Sequence, residues 1–94
     1  MKKFKSKHTT KNYYIGKIDS TGCAWLYSYG TAICVIDSIN LCISVTRYYE
    51  YSNTTKRHLR WFFEDILGVS IGVNDIRQAL NTGNTLFNFT VEKI

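Results

Sequence analysis

The side chains able to do acid, base or nucleophilic chemistry are few and scattered. The chain has two histidines, His8 and His58, and spacing places no carboxylate or nucleophile beside either. Glu64 and Asp65 are adjacent, so on a helix they point about 100° apart and do not converge as a carboxylate pair. No nucleophile, base and orienting residue form a set. Cys23, Cys34 and Cys42 are odd in number, fall in apolar stretches and make no C-x-x-C pair. They read as buried free thiols rather than a disulfide framework or a zinc site. There is no glycine-rich phosphate loop, no dinucleotide fingerprint and no metal-ligand spacing. The sequence therefore predicts no catalytic residues, no metal and no cofactor, and His58 reads as a residue that packs or hydrogen-bonds locally near a helix start.

The elements that must carry these residues follow from periodicity. Residues 1–12, MKKFKSKHTTKN, are polar and aperiodic and read as a flexible basic arm, leaving residues 13–94 as one folded domain. A strand YYIGKI meets the turn signal Asp19-Ser20-Thr21-Gly22, and CAWLYSYGTAICVID follows. Gly30 interrupts that long stretch, so Ser28 to Thr31 is expected to be a bulge or bend between two strands. After a hairpin connection at DSIN, LCISVTRYYEY resumes a period of two. The pattern then switches. Ser52, Asn53 and Thr54 offer N-cap oxygens, and a helix over about 55–67 ends at Gly68, a natural left-handed C′ residue. Leu59, Phe62, Phe63, Ile66 and Leu67 share an arc of about 140° on it, which must lie on the sheet. A second short helix is expected at about 74–81 with Asn74 as cap, and TLFNFTVEKI closes the chain as one alternating strand. The expected fold is a small α+β domain, an antiparallel β-meander of four to five strands packed on one main helix.

Ninety-four residues allow one domain with little interior volume for an enclosed ligand, so a surface site is favoured. The net charge of +5 is uneven: Lys2, Lys3, Lys5, Lys7 and Lys11 lie in the first twelve residues without an acid, leaving seven basic residues against seven acidic ones in the body. Such an arm can steer a protein to nucleic acid or another acidic surface, and it is also the composition of a solvated leader. It has no apolar core of a signal peptide and no run of 18 apolar residues follows, so a cytoplasmic protein is expected.

Two features stand out for recognition. Trp61 projects about 170° away from the apolar arc, among Arg57, His58, Glu64 and Asp65, with Arg60 and Glu64 spaced for a surface ion pair. A tryptophan flanked by arginine is the composition of a binding hot spot, yet such a ring also covers gaps against an arm or a strand. The seven tyrosines cluster in strands and at their ends. Alternation puts Tyr27 and Tyr29 on a face with Trp25, and Tyr49 and Tyr51 on a face with Arg47, an arrangement that can stack nucleobases or form a protein interface.

Two segments, LYSYGTAICVID and ISVTRYYEYSNTTKRHLRWFF, resemble a family of small uncharacterised proteins encoded by phages and plasmids of low-GC Gram-positive bacteria. The pattern falls on Leu26, Tyr27, Ser28, Tyr29, Thr31 and Ile33, then on Val45, Thr46, Tyr48, Tyr49, Ser52, Thr54, Thr55, Arg57 and His58. The resemblance covers about residues 24–63, with the arm and the segment after Gly68 outside it. It implies a mobile-element accessory protein in a bacterial cytoplasm, where such proteins commonly inhibit host defence systems, including CRISPR effectors.

Together these readings predict a non-enzymatic binding protein whose partner is a host protein or nucleoprotein complex. Trp61, Arg57 and Arg60 on the helix, with Tyr48, Tyr49 and Tyr51 leading into it, are the expected contact residues, and Trp61→Ala is expected to weaken binding while sparing the fold. The alternative is a small RNA- or single-strand-binding module using Lys2, Lys3, Lys5, Lys7 and Lys11. A homodimer through an unpaired sheet edge fits either reading.

Overall fold

The computed structural model describes residues 1–11 and 13–94. Asn12, the last residue of the expected arm, lies outside the described residues. Seven strands and two helices follow in the order β1 (Lys2–Lys3), β2 (Tyr14–Ile18), β3 (Ala24–Ser28), β4 (Thr31–Asp37), β5 (Cys42–Val45), α1 (Asn53–Leu67), α2 (Val73–Asn81), β6 (Thr85–Leu86) and β7 (Phe89–Lys93). One sheet holds all the strands in the order β1-β2-β3-β4-β5-β7-β6. The first five form an antiparallel meander. The chain then crosses through both helices and returns as β7, which lies parallel to β5, with β6 folded back beside it. Parallel neighbours need such a crossover because a tight turn only reverses direction.

Alternation decides which side chains enter the core. Tyr14, Ala24, Leu26, Cys34, Ile36, Ile43, Val45 and Val91 are buried together with Leu59, Phe62 and Phe63 of α1 and Ile76 and Ala79 of α2. Ser52 caps α1, accepting the Thr55 N–H at 3.1 Å, and Gly68 ends it at φ 69° with its N–H on the Glu64 carbonyl. The Gly68 end matches the sequence reading, while the helix starts two residues earlier than expected, with Ser52 the cap among the three candidates. The buried stripe also differs. Thr55 and His58 are buried where Ile66 and Leu67 are only half-buried, so the face turned to the sheet is rotated toward His58. Helix α2 starts after Gly72, whose N–H reaches the Asp75 carboxylate at 2.9 Å, so the cap is not Asn74.

Three further expectations change. Tyr29 and Gly30 both take positive φ between the paired residues Ser28 and Thr31, a tight hairpin turn rather than a bulge. The bulge comes just after it, where pairing jumps from Leu26↔Cys34 to Tyr27↔Ala32; Ile33 is the extra residue, and both Ile33 and Cys34 are buried. The closing strand breaks into β6 and β7 at Phe87, whose φ of 54° turns the chain and leaves its ring in solvent.

The third concerns the arm, which is packed. Lys2 and Lys3 pair with Ile18 and Lys17, the Phe4 N–H bonds the Gly16 carbonyl at 3.0 Å, and the Phe4 ring stacks on Phe62. A Cβ on Gly16 would overlap the Phe4 ring, so the glycine makes the seat. Composition conceals this docking because it rests on a single apolar residue and a few polar ones. The three cysteines are free, with Cys34 buried and Cys23 and Cys42 half-buried; burial pushes the Cys34 thiol well above its ordinary value.

Candidate functional site

The structure separates the residues expected to act together. Trp61 is half-buried beneath the arm: the His8 imidazole stacks on its indole at 5.4 Å and an interplanar angle of 5°, and Tyr14 meets it edge-on at 5.8 Å. Below them Asp65, with 2% of its side chain exposed, accepts the Ser6 hydroxyl at 2.6 Å, the Lys7 N–H at 2.9 Å and the Tyr14 phenol at 2.9 Å. Burial first, then the bond to Asp65, pushes the Tyr14 phenol far above its ordinary value. Glu64, expected to pair with Arg60, pairs with His8 instead at 2.7 Å. Arg57 and Arg60 are exposed and, with Lys56, line a shallow groove beside Gly72 and Val73. No carboxylate among the described residues reaches any of the three.

The tyrosines divide too. Tyr49 is 4% exposed and packs in the core, where burial raises its phenol, so its ring is not free to contact a partner. Tyr48 and Tyr51 stay on the surface, ring edge to ring face at 6.5 Å. Arg47 donates to the Tyr48 hydroxyl at 2.7 Å while its guanidinium lies 4.9 Å from the ring centre, which steadies the side chain. The same loop is tied to α2 by Arg77, whose Nε and Nη2 reach Glu50 at 3.1 and 2.7 Å. Trp25 and Tyr27 share the sheet face away from the helices, but Tyr29 does not join them, because the turn redirects it toward Tyr13 and His58.

That redirection builds a cleft. Tyr48, Tyr51, Ser52, Thr54 and Thr55 from the start of α1 face Ser28, Tyr29, Thr31 and Ile33 from the β3–β4 turn across about 490 Å³. Eight of these nine residues carry a hydroxyl, and none is charged. Tyr29 is 65% exposed although its backbone sits at φ 50°. The first position of this turn suits Asn, Asp or Gly, and a bulky residue there carries about 1 kcal/mol of strain. The ring is thus held over the cleft against local backbone preference, with Tyr13 stacked behind it at 5.3 Å.

At the cleft floor the Ser28 hydroxyl meets His58 Nδ1 at 2.7 Å, a contact the sequence reading did not anticipate. Burial, then the nearby Arg57 charge, holds the imidazole below its ordinary value, which keeps it neutral at pH 7. A neutral imidazole on a serine is a nucleophile–base pair in form. Here Ser28 is 3% and His58 1% exposed, no hydrogen bond among the described residues reaches the other ring nitrogen, and the rings of Tyr13, Tyr14 and Trp61 pack against the imidazole. The pair clamps β3 to α1 and shapes the floor. The only signal for it in the sequence is that the two segments of the resemblance pattern contain Ser28, Tyr29 and Thr31 on one side and Tyr48, Ser52, Thr54, Thr55 and His58 on the other.

A family model described as a family of unknown function, DUF8033, matches residues 1–78. The chain belongs to this family. The DUF8033 match takes in the arm, the whole cleft and α1, and runs past Gly68 to Gln78, so the arm and the start of α2 are part of the shared unit. Strands β6 and β7 lie beyond it. No curated protein and no solved structure matches the chain. Among the described residues no helix is long and apolar enough to cross a membrane, and no group of His, Cys, Asp or Glu could hold a metal ion.

Proposed function

We propose that the protein is a non-enzymatic binding module whose contact surface is the hydroxyl-lined cleft, and that its occupant is a polypeptide segment of a partner protein. The observation that carries this reading is Tyr29, an exposed ring on a strained backbone position at the mouth of a cleft otherwise made of tyrosine, serine and threonine. Rigid tyrosines beside small hydroxyl residues give large contact area at low entropy cost and adaptable hydrogen bonding, the composition of antibody-like binding surfaces. A non-catalytic role is supported by the burial of Ser28 and His58. The partner is a host protein or nucleoprotein complex, and the phage or plasmid setting implied by the resemblance makes a component of a defence system its class.

The test uses Tyr29→Asn, which suits the turn while removing the ring, together with Tyr51→Ala. Each variant and the parent are immobilised, incubated with bacterial lysate and compared by quantitative mass spectrometry after nuclease treatment. The expected result is one near-stoichiometric protein whose recovery falls at least tenfold in both variants while their melting temperatures match the parent. Equal recovery with both variants removes the cleft from consideration.

A further inference from the structure

The uncovered face of the sheet carries a second cluster, independent of the cleft. Lys3 on β1 lies directly opposite Lys17 on β2, so two ammonium groups are neighbours on one face. Phe4 continues the ladder through its bond to Gly16 and turns its ring to the helix side, so alternation returns Lys5 to the side of Lys3. One strand further in, Trp25 and Tyr27 stack at 6.3 Å with 18° between their planes, paired with Lys17 and Ile15. The Lys17 ammonium lies 5.4 Å from the Tyr27 ring centre. Lys3 and Lys5 also line a groove with Lys11 at the sheet edge, and no lysine has a salt-bridge partner among the described residues.

Like charges placed directly across two strands are unfavourable, and this pair is left uncompensated. Lysines on an edge strand guard it against other strands, but β2 is not an edge, so guarding does not account for Lys17. The carboxylates on this side are occupied. Asp19 accepts the Trp25 indole N–H at 2.8 Å and the Thr21 hydroxyl at 2.6 Å, Asp37 holds Asn40, and Glu92 accepts from Ser44. The lysines are not on a free arm, because β1 pairing fixes them at one or two strand spacings, about 5 to 10 Å, from the stacked rings. An anion with flat apolar rings attached satisfies both halves of this surface.

We propose that the uncovered face at the β1–β2–β3 edge binds single-stranded nucleic acid, with bases against Trp25 and Tyr27 and phosphates against Lys3, Lys5 and Lys17. Ring stacking next to point charges is the recognition mode of sequence-tolerant single-strand binders. With one phosphate neutralised by each of the three lysines, a slope of about −0.7 per phosphate gives about a twenty-fold affinity loss between about 50 and 200 mM salt.

The full-length protein is titrated into a fluorescently labelled oligothymidine of about 12 nucleotides, followed by anisotropy and by tryptophan emission. Binding at low salt with quenched emission is expected. The triple variant Lys3→Gln, Lys5→Gln, Lys17→Gln is expected to lose at least tenfold in affinity and to flatten the salt slope by about two. Trp25→Leu is expected to lose at least fivefold, and the triple variant decides the matter if Trp25→Leu does not fold. Arg57→Gln with Arg60→Gln is expected to bind within twofold of the parent. Absence of binding at low salt, or an unchanged triple variant, overturns the proposal. So does polyglutamate competing as well as the oligonucleotide, which assigns the face to an acidic protein, or a duplex bound equally without quenching, which makes it a general polyanion surface.

Discussion

Two aromatic clusters meet at His58, and they have opposite fates. On one side the arm closes over Trp61 and Tyr14 and seats Phe4 on Phe62, and Asp65 accepts three hydrogen bonds there. On the other, Tyr29, Tyr48 and Tyr51 ring a cleft whose hydroxyl-bearing walls face solvent. Residue type does not separate them, since both mix large rings with Ser, Thr and His. The difference is where hydrogen-bonding capacity is left. Asp65 spends its capacity inside the arm cluster, which holds the fold. In the cleft Ser28, Tyr48, Ser52 and Thr55 bond within the protein, but the hydroxyls of Tyr29, Thr31, Tyr51 and Thr54 have no side-chain hydrogen bond among the described residues. Substitutions in the first should therefore change stability, and substitutions in the second should change binding alone.

The largest effect is expected at Asp65. Asp65→Ala leaves the Ser6 and Tyr14 hydroxyls and the Lys7 N–H without an acceptor, at a cost of about 3 kcal/mol in urea unfolding. Backbone amide exchange at Phe4 and Lys7 should accelerate with it, and unchanged exchange would show that the arm is held by something else. Trp61→Ala is expected to cost about 2 kcal/mol, less than a fully buried tryptophan because the ring is half-buried. A loss under 0.5 kcal/mol would return Trp61 to the surface role that the helical projection suggests.

The shared residue ranks next. Ser28→Ala strands the buried His58 nitrogen and is expected to cost about 1 to 2 kcal/mol. His58 titrates below its ordinary 6.5 when folded, because of burial and then Arg57, so in acid the unfolded chain takes up a proton that the folded chain refuses. Its contribution is present above about pH 6.5 and lost as the pH falls toward the lower folded value. Stability measured from pH 7.5 down to 5 should decline more steeply in the parent than in His58→Gln; parallel curves would locate the acid sensitivity elsewhere. The smallest effect is expected at Tyr51, 80% exposed, where Tyr51→Ala should change stability by less than about 0.5 kcal/mol. A larger loss would make the tyrosine rim a structural element and erase the contrast between the two clusters.

Local signals were legible in the chain. Ser52 and Gly68 bound α1 because a cap oxygen and a left-handed residue act within a few positions of themselves. Alternation located the meander strands β2 to β5, and the α+β class followed from them. The projection of Trp61 away from the apolar arc was right as geometry, but outward from the sheet is not outward to solvent when the first residues of the chain cross that side of the helix. Tyr29 was misplaced for a comparable reason: alternation holds only while the strand continues, and two positive-φ residues ended it.

The sequence by itself determined the α+β class, the bounds of the main helix and the uneven distribution of charge, since each is set by composition or by contacts a few residues apart. Only the tertiary structure decided that the arm docks through Phe4, that Tyr49 is interior while Tyr29 is on the surface, that Asp65 collects three donors, and that Ser28 and His58 meet beneath a cleft. The partners in those contacts lie from 30 to 59 residues apart along the chain. At such separations the identity of a contact depends on strand register, on one bulge and on one turn, and none of these is written in the pattern of a single segment.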